Sequence, residues 1–245
     1  METSLPSVSP ILRKIDGDGF AVIAAVFQAR EVEQLQAQLY QTLSKPKAAV
    51  IQSEGAVVGA RNLLQIWPGL TAVCRHRPLP ALLTEILGPQ VGLVRALYFD
   101  KPPVQTWSLP WHKDLTIAVR DNRRTSGEFR NPTVKAGVPH VEASRAILES
   151  MLIARIHLDD VTDENGPMTV IPGSHLTRKP MNIDEASSQK ILCRRGDVLL
   201  IRPLVAHNSI GSQPGNQNHR RILHLEFAGC YELPDGYEWH DFVLI

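Results

Sequence analysis

Apolar and polar positions recur along this chain with two different periods. From Glu31 to Ser44, Val32, Leu35, Leu39 and Leu43 return every three or four residues among Gln and Glu, which predicts a surface helix with one apolar stripe, closed by Pro46. Pro80 to Leu87 repeats the pattern with Leu82, Leu83, Ile86 and Leu87, and Gly88-Pro89 is its stop signal. Beyond this point the texture changes. Val91–Asp100, Leu115–Arg120, Met151–Leu158, Met168–Ile171, Lys190–Cys193, Asp197–Arg202 and Arg220–Gly229 are short, β-branched or alternating segments. They are separated by turn signals such as Glu164-Asn165-Gly166-Pro167, Pro172-Gly173, Arg195-Gly196-Asp197 and Gln213-Pro214-Gly215. Such a series predicts a mainly β chain with flanking helices (α+β), its strands forming an antiparallel sandwich or jelly roll.

The pattern organises residues 1–245 as a single domain: a loose Ser- and Pro-rich arm over 1–10, helical support over about 29–90, then the β region. One long stretch, 121–141, lacks a clear period and contains Gly127, Pro132, Gly137 and Pro139. Loops of that length in compact domains are commonly functional, so this segment is expected to form a lid.

Composition narrows the functional classes. The chain is 43% apolar and 21% charged, with 26 basic against 25 acidic side chains and a net charge of +1. A disordered chain would be less apolar, and a protein that binds nucleic acid by neutralising phosphates would be strongly basic. No apolar run approaches the roughly 20 residues of a membrane span, and Met1–Pro10 lacks the pattern of a secretory leader, so a cytoplasmic location is expected. Cys74, Cys193 and Cys230 are far apart, which suggests neither a disulfide framework nor a thiolate zinc site. Any metal would sit on His and carboxylate.

Nine histidines are available, and two of them pair with a carboxylate at strand spacing: His112-Lys113-Asp114 and His157-Leu158-Asp159. Residues i and i+2 of an extended strand share a face, so either pair can grip one ion. A third ligand must come from elsewhere, and His207, following the strand Asp197–Arg202, is the best candidate. Two imidazoles and one carboxylate on one side of an ion leave about three positions open, the arrangement suited to ferrous iron in oxygenases, whereas four protein ligands would close a structural zinc site. A chelating 2-oxo acid also needs a partner for its distal carboxylate, for which a guanidinium is the natural bidentate donor. Alternation from Arg220 places Arg220, Ile222, His224 and Glu226 on one strand face, and Arg221, Leu223, Leu225 and Phe227 on the other. The second face looks like packing against the helices, which makes Arg220 the anchor. Ser209, two residues beyond His207, can add a hydroxyl to the same carboxylate.

Trp111-His112-Lys113-Asp114-Leu115, Asn165-Gly166-Pro167-Met168 running into Ile171-Pro172-Gly173-Ser174-His175, Gly196-Asp197-Val198 leading to His207-Asn208-Ser209, and then Arg220 together resemble the phytanoyl-CoA dioxygenase family of iron(II)- and 2-oxoglutarate-dependent oxygenases. The resemblance runs in order from about Val91 to Gly229. It implies a double-stranded β-helix, a cupin-like jelly-roll barrel. It also implies iron(II) on His112, Asp114 and His207, 2-oxoglutarate on Arg220 and Ser209, and dioxygen as co-substrate. A small molecule would be hydroxylated while 2-oxoglutarate is converted to succinate and carbon dioxide. The resemblance chooses His112-Lys113-Asp114 over His157-Leu158-Asp159, leaves His175 structural, and makes Lys113, where the family often has Gln, a surface or sheet-packing residue. Halogenating relatives carry a small residue in place of the aspartate, so Asp114 points to hydroxylation.

Substrate selection is expected around the barrel mouth. Thr106 and Trp107 lie close to the iron motif, Thr106 on the co-substrate side and Trp107 beside the substrate, and His140 sits in the expected lid. The lid holds Arg123, Arg124, Arg130 and Lys135 against Asp121 and Glu128, an excess that fits a solvated charged loop or, less simply, an acidic or phosphorylated substrate. Two alternatives keep the barrel: a cupin-type metalloenzyme that does not use 2-oxoglutarate, and a jelly-roll binding protein without turnover. No nucleic-acid or membrane partner is expected, and the oligomeric state is left open.

Overall fold

In the computed structural model, which describes residues 8–45, 49–103, 105–177 and 183–245, strand residues outnumber helical ones and the helices gather toward the N-terminus. The helices are α1 (Val8–Gly17), α2 (Ala29–Leu43), α3 (Leu63–Ile66), α4 (Leu70–Cys74), α5 (Leu79–Leu87) and α6 (Arg145–Glu149). The strands are β1 (Phe20–Ile23), β2 (Val50–Ser53), β3 (Ala56–Ala60), β4 (Gly92–Lys101), β5 (Leu109–His112), β6 (Thr116–Ala118), β7 (Phe129–Lys135), β8 (Val138–Ala143), β9 (Met151–His157), β10 (Met168–Val170), β11 (Gln189–Ile191), β12 (Val198–Ile201), β13 (His207–Ser209), β14 (Arg220–Ala228) and β15 (Val243–Leu244).

The strands form three antiparallel sheets. The large sheet runs β1-β12-β9-β14-β4-β3-β2, with β15 also on β4; the small sheet runs β11-β10-β13-β5; a third runs β6-β8-β7. This is the expected double-stranded β-helix, open rather than closed into a full barrel. No described helix is long and apolar enough to cross a membrane.

Side-chain alternation on the large sheet separates packing from chemistry. Ala96 and Tyr98 of β4, Leu152, Ala154 and Ile156 of β9, and Leu223, Leu225 and Phe227 of β14 share one buried cluster with Val32, Leu35, Leu39, Leu79, Leu82 and Leu83 of the helices. Each fully buried side chain of this kind contributes about 1.5–3 kcal/mol. A slip of one residue would turn Arg220, His224 and Glu226 into that apolar layer, so the packing fixes which face looks inward. On the inward face, Ile153, Leu199, Ile201 and Ile222 join Met168 and Val170 of the small sheet in a second apolar cluster. Arg155, Arg220 and His224 share the inward face with them and line the cavity between the sheets.

Three expectations need correction. Val8–Pro10 belong to α1 and are not a loose arm, while residues 1–7 and Pro46 lie outside the described residues. The helical support over 29–90 is interrupted by the β2–β3 hairpin. The stretch 121–141 is no irregular loop. It contains β7 and the start of β8, joined at Ala136-Gly137, both with positive φ (48° and 80°). That conformation at both central residues is the hairpin turn whose twist matches its strands. The register shifts between Arg130 and Thr133, next to Asn131 at φ 51°, and this bulge interrupts the alternation that would have revealed a strand.

Candidate metal centre and anchor site

Strand pairing brings the candidate ligands together. His112 of β5 lies directly opposite His207 of β13, with ring centroids 4.2 Å apart. Asp114 follows β5, and its backbone N–H donates to Pro203 O at 2.9 Å, which ties this turn to the segment entering β13. Asp114 Oδ1 stands 4.0 Å from His112 Nε2, and Oδ2 stands 3.8 Å from His207 Nε2. One ligand atom from each residue lies within 4.8 Å of the others. His112 Nδ1 donates to Pro110 O at 2.8 Å, and His207 Nδ1 to Val205 O at 3.0 Å, so both Nε2 lone pairs face the space between them. Burial pushes the His207 imidazole down to about 4, with the Asp114 charge opposing, so it is a neutral ligand at physiological pH. Burial disfavours the Asp114 carboxylate, yet His207, His224, His112 and Arg95 together hold it below its ordinary range. Two imidazoles and one carboxylate on one side of a small space fit a ferrous ion. The side chains of His112 and Asp114 are 33% and 28% exposed, so the opposite side faces the cavity mouth.

The family-like motifs act as braces. Ser174 Oγ donates to Ile171 O at 2.6 Å and accepts from Ala206 N at 2.8 Å, which secures the residue before His207. Lys113 points away from the ligands as expected and takes the packed one of its two expected roles: it is buried, and its Nζ donates to Ser174 O at 2.7 Å. Asn165, fully buried, accepts from Thr162 N at 2.9 Å and donates to Asp160 O at 2.7 Å and to His219 O at 3.3 Å, the residue before Arg220. Gly166, at φ 73°, has no room for a side chain: a Cβ there would stand 2.5 Å from Ile210 O.

Arg220 is 2% exposed and, with Ser209, lines the same cavity as the three ligands. Its NH2 donates to Ser209 Oγ at 3.4 Å. A second cation, missed in the sequence, stands beside it. Lys101, directly paired with Arg220 across β4 and β14, is fully buried, donates to Ser209 Oγ at 2.6 Å, and also contacts Ile210 O. Burial, then repulsion from Arg220 and Arg155, pushes Lys101 down to about 6; burial and Arg155 push Arg220 down to about 9. Such crowding of buried cations calls for an anion.

Other expected residues divide. Trp107 lines the cavity, but its ring lies 4.6 Å from Lys101 Nζ and 5.8 Å from Arg220 Cζ, which puts it over the anchor site. Thr106 is exposed; its Oγ1 accepts from Ser212 N, and it does not line the cavity, so it is not the expected co-substrate contact. His140 is 2% exposed on β8, where its Nδ1 donates to Val138 O at 2.9 Å. Of the second HxD pair, His157 is buried against Asp197 O, and Asp159 holds Arg221 in a two-pronged ion pair at 2.8 and 2.6 Å. Neither reaches the cavity. His175 is structural, its Nε2 facing Asp16 O at 3.2 Å. The cavity, about 490 Å³ including its open mouth, is completed by Leu97, Phe99, Leu109 and Met168.

A jelly roll with two imidazoles and a carboxylate converging at one cavity, and buried cations beside them, is a donor set suited to a non-haem metal ion next to an anion site. Comparison with known proteins gives the family. The sequence profile of phytanoyl-CoA dioxygenase (PhyH) matches residues 15–214, and the chain belongs to that family. It is 28% identical over 168 residues to ectoine dioxygenase of Sphingopyxis alaskensis, covering 66% of this chain and 48% of that protein. It is 24% identical over 172 residues to ectoine dioxygenase of Bordetella parapertussis, covering 67% and 48%. The chain thus spans about half the length of the curated relatives it matches. Among solved structures, EctD from S. alaskensis with 2-oxoglutarate and 5-hydroxyectoine is similar at a TM-score of 0.68 and 18% identity, over 93% of this chain and 78% of that one. The 2-oxoglutarate-dependent epimerase SnoN from nogalamycin biosynthesis is similar at 0.66 and 17%, over 90% and 82%. These likenesses establish the fold.

Proposed function

We propose that this protein is an iron(II)- and 2-oxoglutarate-dependent dioxygenase that hydroxylates a small molecule. The observation that carries this reading is the convergence of His112, Asp114 and His207 within 4.8 Å at one end of a cavity whose other end holds Arg220, Lys101 and Ser209. When bound, ferrous iron and 2-oxoglutarate supply oxygen activation coupled to decarboxylation of the oxo acid, chemistry that protein side chains lack.

The chain's own residues supply position and environment. The backbone carbonyls of Pro110 and Val205 keep the two Nε2 atoms aimed at the metal, and Asp114 brings the negative charge. Arg220 and Ser209 take the distal carboxylate, with Lys101 adding a charge-assisted hydrogen bond. Trp107 covers this anchor, its indole N–H committed to Asp100 O at 2.8 Å, so the ring is held in place. Leu97, Phe99 and Met168 add apolar wall to a cavity that Arg95, Arg155 and His224 also line, and such wall limits the water around the bound groups. The ectoine dioxygenases among its relatives make a small molecule such as ectoine a fitting kind of substrate.

Aerobic incubation with iron(II) and 2-oxoglutarate tests the reading through succinate. Wild type is expected to release succinate slowly even without substrate, and His112→Ala to release none. Equal release from both, or none from folded wild type, rejects it and favours a cupin-type enzyme independent of 2-oxoglutarate or a binding protein.

A further inference from the structure

Beyond the ligands and the anchor lies a third group of charges that neither uses. Arg95 points inward from β4 and lines the cavity with Asp114. Its side chain is 11% exposed and donates to Glu226, while its Nε is buried without a partner among the described residues. Glu226 also accepts from His224 Nε2 at 3.1 Å, and His224 Nδ1 from Arg155 at 3.1 Å, so this carboxylate is already committed.

Two more cations, Arg61 and Lys135, lie outside the cavity's own lining but close enough to Arg95 for its charge to act on both. Gly59 of β3 pairs with Phe99, a cavity-lining residue, and Ala60 pairs with Tyr98 on the helix side. Alternation therefore turns Arg61 to the cavity side. No hydrogen bond or ion pair reaches its side chain among the described residues, and the charges of Arg95 and Glu226 both act on it. Opposite stands the β7–β8 hairpin, which Asn62 Nδ2 joins by donating to Ala136 O at 3.1 Å. The hairpin's Lys135 reaches inward to Thr116 Oγ1 at 3.0 Å, two residues from Asp114. Of the other lid cations, Arg123 pairs with Asp121, Arg124 lies against Gly236, and Arg130, in the same pairing row as Thr116, is 65% exposed and pairs with Glu142. His140 shares a hairpin face with Lys135 and Thr116. Its Nδ1 donates to Val138 O, so Nε2 is an acceptor, and that atom is buried without a partner among the described residues. An acceptor of this kind is satisfied by a donor elsewhere on a ligand and not by its oxyanion, so His140 is no part of the anion site.

Charge decides what fits there. A ferrous ion and a 2-oxoglutarate dianion bring equal and opposite charge, and Asp114 serves the metal. Among the described residues, Glu226 is then the carboxylate whose charge acts on both Arg61 and Lys135, and it is already committed to Arg95 and His224. Building on the oxygenase reading, we infer that the substrate is an acid whose carboxylate or phosphate is held by Arg61 and Lys135 at the cavity mouth, beside Arg95. Like-charged groups crowded at a partly desolvated mouth are relieved by an oxyanion, and they steer it there from solution.

The test uses the chain loaded with Mn(II) under nitrogen. Its heat of 2-oxoglutarate binding is recorded first, and it is then titrated with benzoate, phenyl phosphate and neutral benzamide. Both anions are expected to bind and benzamide to bind far more weakly. Added salt should weaken the anions in wild type. Arg61→Gln and Lys135→Gln should each weaken them about tenfold, and Arg130→Gln should leave them unchanged. Tighter phenyl phosphate would assign a phosphate, tighter benzoate a carboxylate. Benzamide binding as well as benzoate, neither anion binding, or wild-type anion affinity in both Gln variants overturns the inference. Absence of the 2-oxoglutarate heat would overturn the oxygenase reading separately, because the variants still report on the mouth.

Discussion

Lys101 and Ser209 meet at 2.6 Å, Nζ to Oγ, joining β4 of the large sheet to β13 of the small one at the anchor end of the cavity. Unligated, Lys101 loses its proton above about pH 6, whereas a bound carboxylate favours the ammonium. Binding of 2-oxoglutarate at neutral pH should therefore take up a proton, and affinity should fall as pH rises above about 6. Calorimetry in buffers of different ionisation heat measures this. Lys101→Met should weaken 2-oxoglutarate binding about tenfold or more and abolish the uptake. A pH-independent affinity in wild type would remove Lys101 from the anchor.

Neighbouring arginines on β14 should behave oppositely. Arg220→Ala deletes a buried guanidinium from the anchor and should weaken 2-oxoglutarate by about 2–3 kcal/mol. Arg221→Ala breaks the ion pair with Asp159 outside the cavity and should cost about 1 kcal/mol of stability while leaving 2-oxoglutarate affinity intact. Equal losses of 2-oxoglutarate affinity in the two variants would mean that the facing of β14 is wrong.

Ser174→Ala tests the brace behind His207. The variant leaves Ala206 N without its buried acceptor, which should cost about 1–3 kcal/mol in denaturant unfolding and weaken metal binding. Metal affinity and stability both equal to wild type would show that the turn does not position this ligand.

Acid should destabilise the metal-free protein early. Burial pushes His157 down to about 3, and His140 and His207 down to about 4. In the unfolded chain these imidazoles take up protons near pH 6.5, so between there and about pH 4 the unfolded state binds more protons than the folded one. Stability is thus complete above about pH 6.5 and is lost as pH falls. Melting temperatures measured across that window should decline steadily, and His157→Gln should flatten the slope. A level profile would mean that these imidazoles are solvated.

Much of this architecture was legible because packing and alternation agree. Leu223, Leu225 and Phe227 are apolar at every second position, and this alone turned Arg220 inward. Lys101 stayed hidden for a related reason. A lysine closing an apolar strand reads as a side chain reaching for solvent, and only the β4–β14 register, which no local pattern contains, sets it against Arg220. The β7–β8 hairpin was masked by Pro132, by the bulge before Thr133, and by Ala136 at a positive φ where Gly or Asn is usual. Thr106 was placed by closeness in sequence to the iron motif, yet the chain turns between them and leaves its hydroxyl outside.

Anaerobic titration of iron(II) into the protein with 2-oxoglutarate present, followed by visible absorption, tests the shared metal and co-substrate site most directly. Wild type should develop the weak charge-transfer band of the chelate, saturating at a single equivalent of iron. His207→Ala should not, and Arg220→Ala should need far more 2-oxoglutarate. A band of equal strength in His207→Ala, or none in folded wild type that has bound iron, would contradict the site described above.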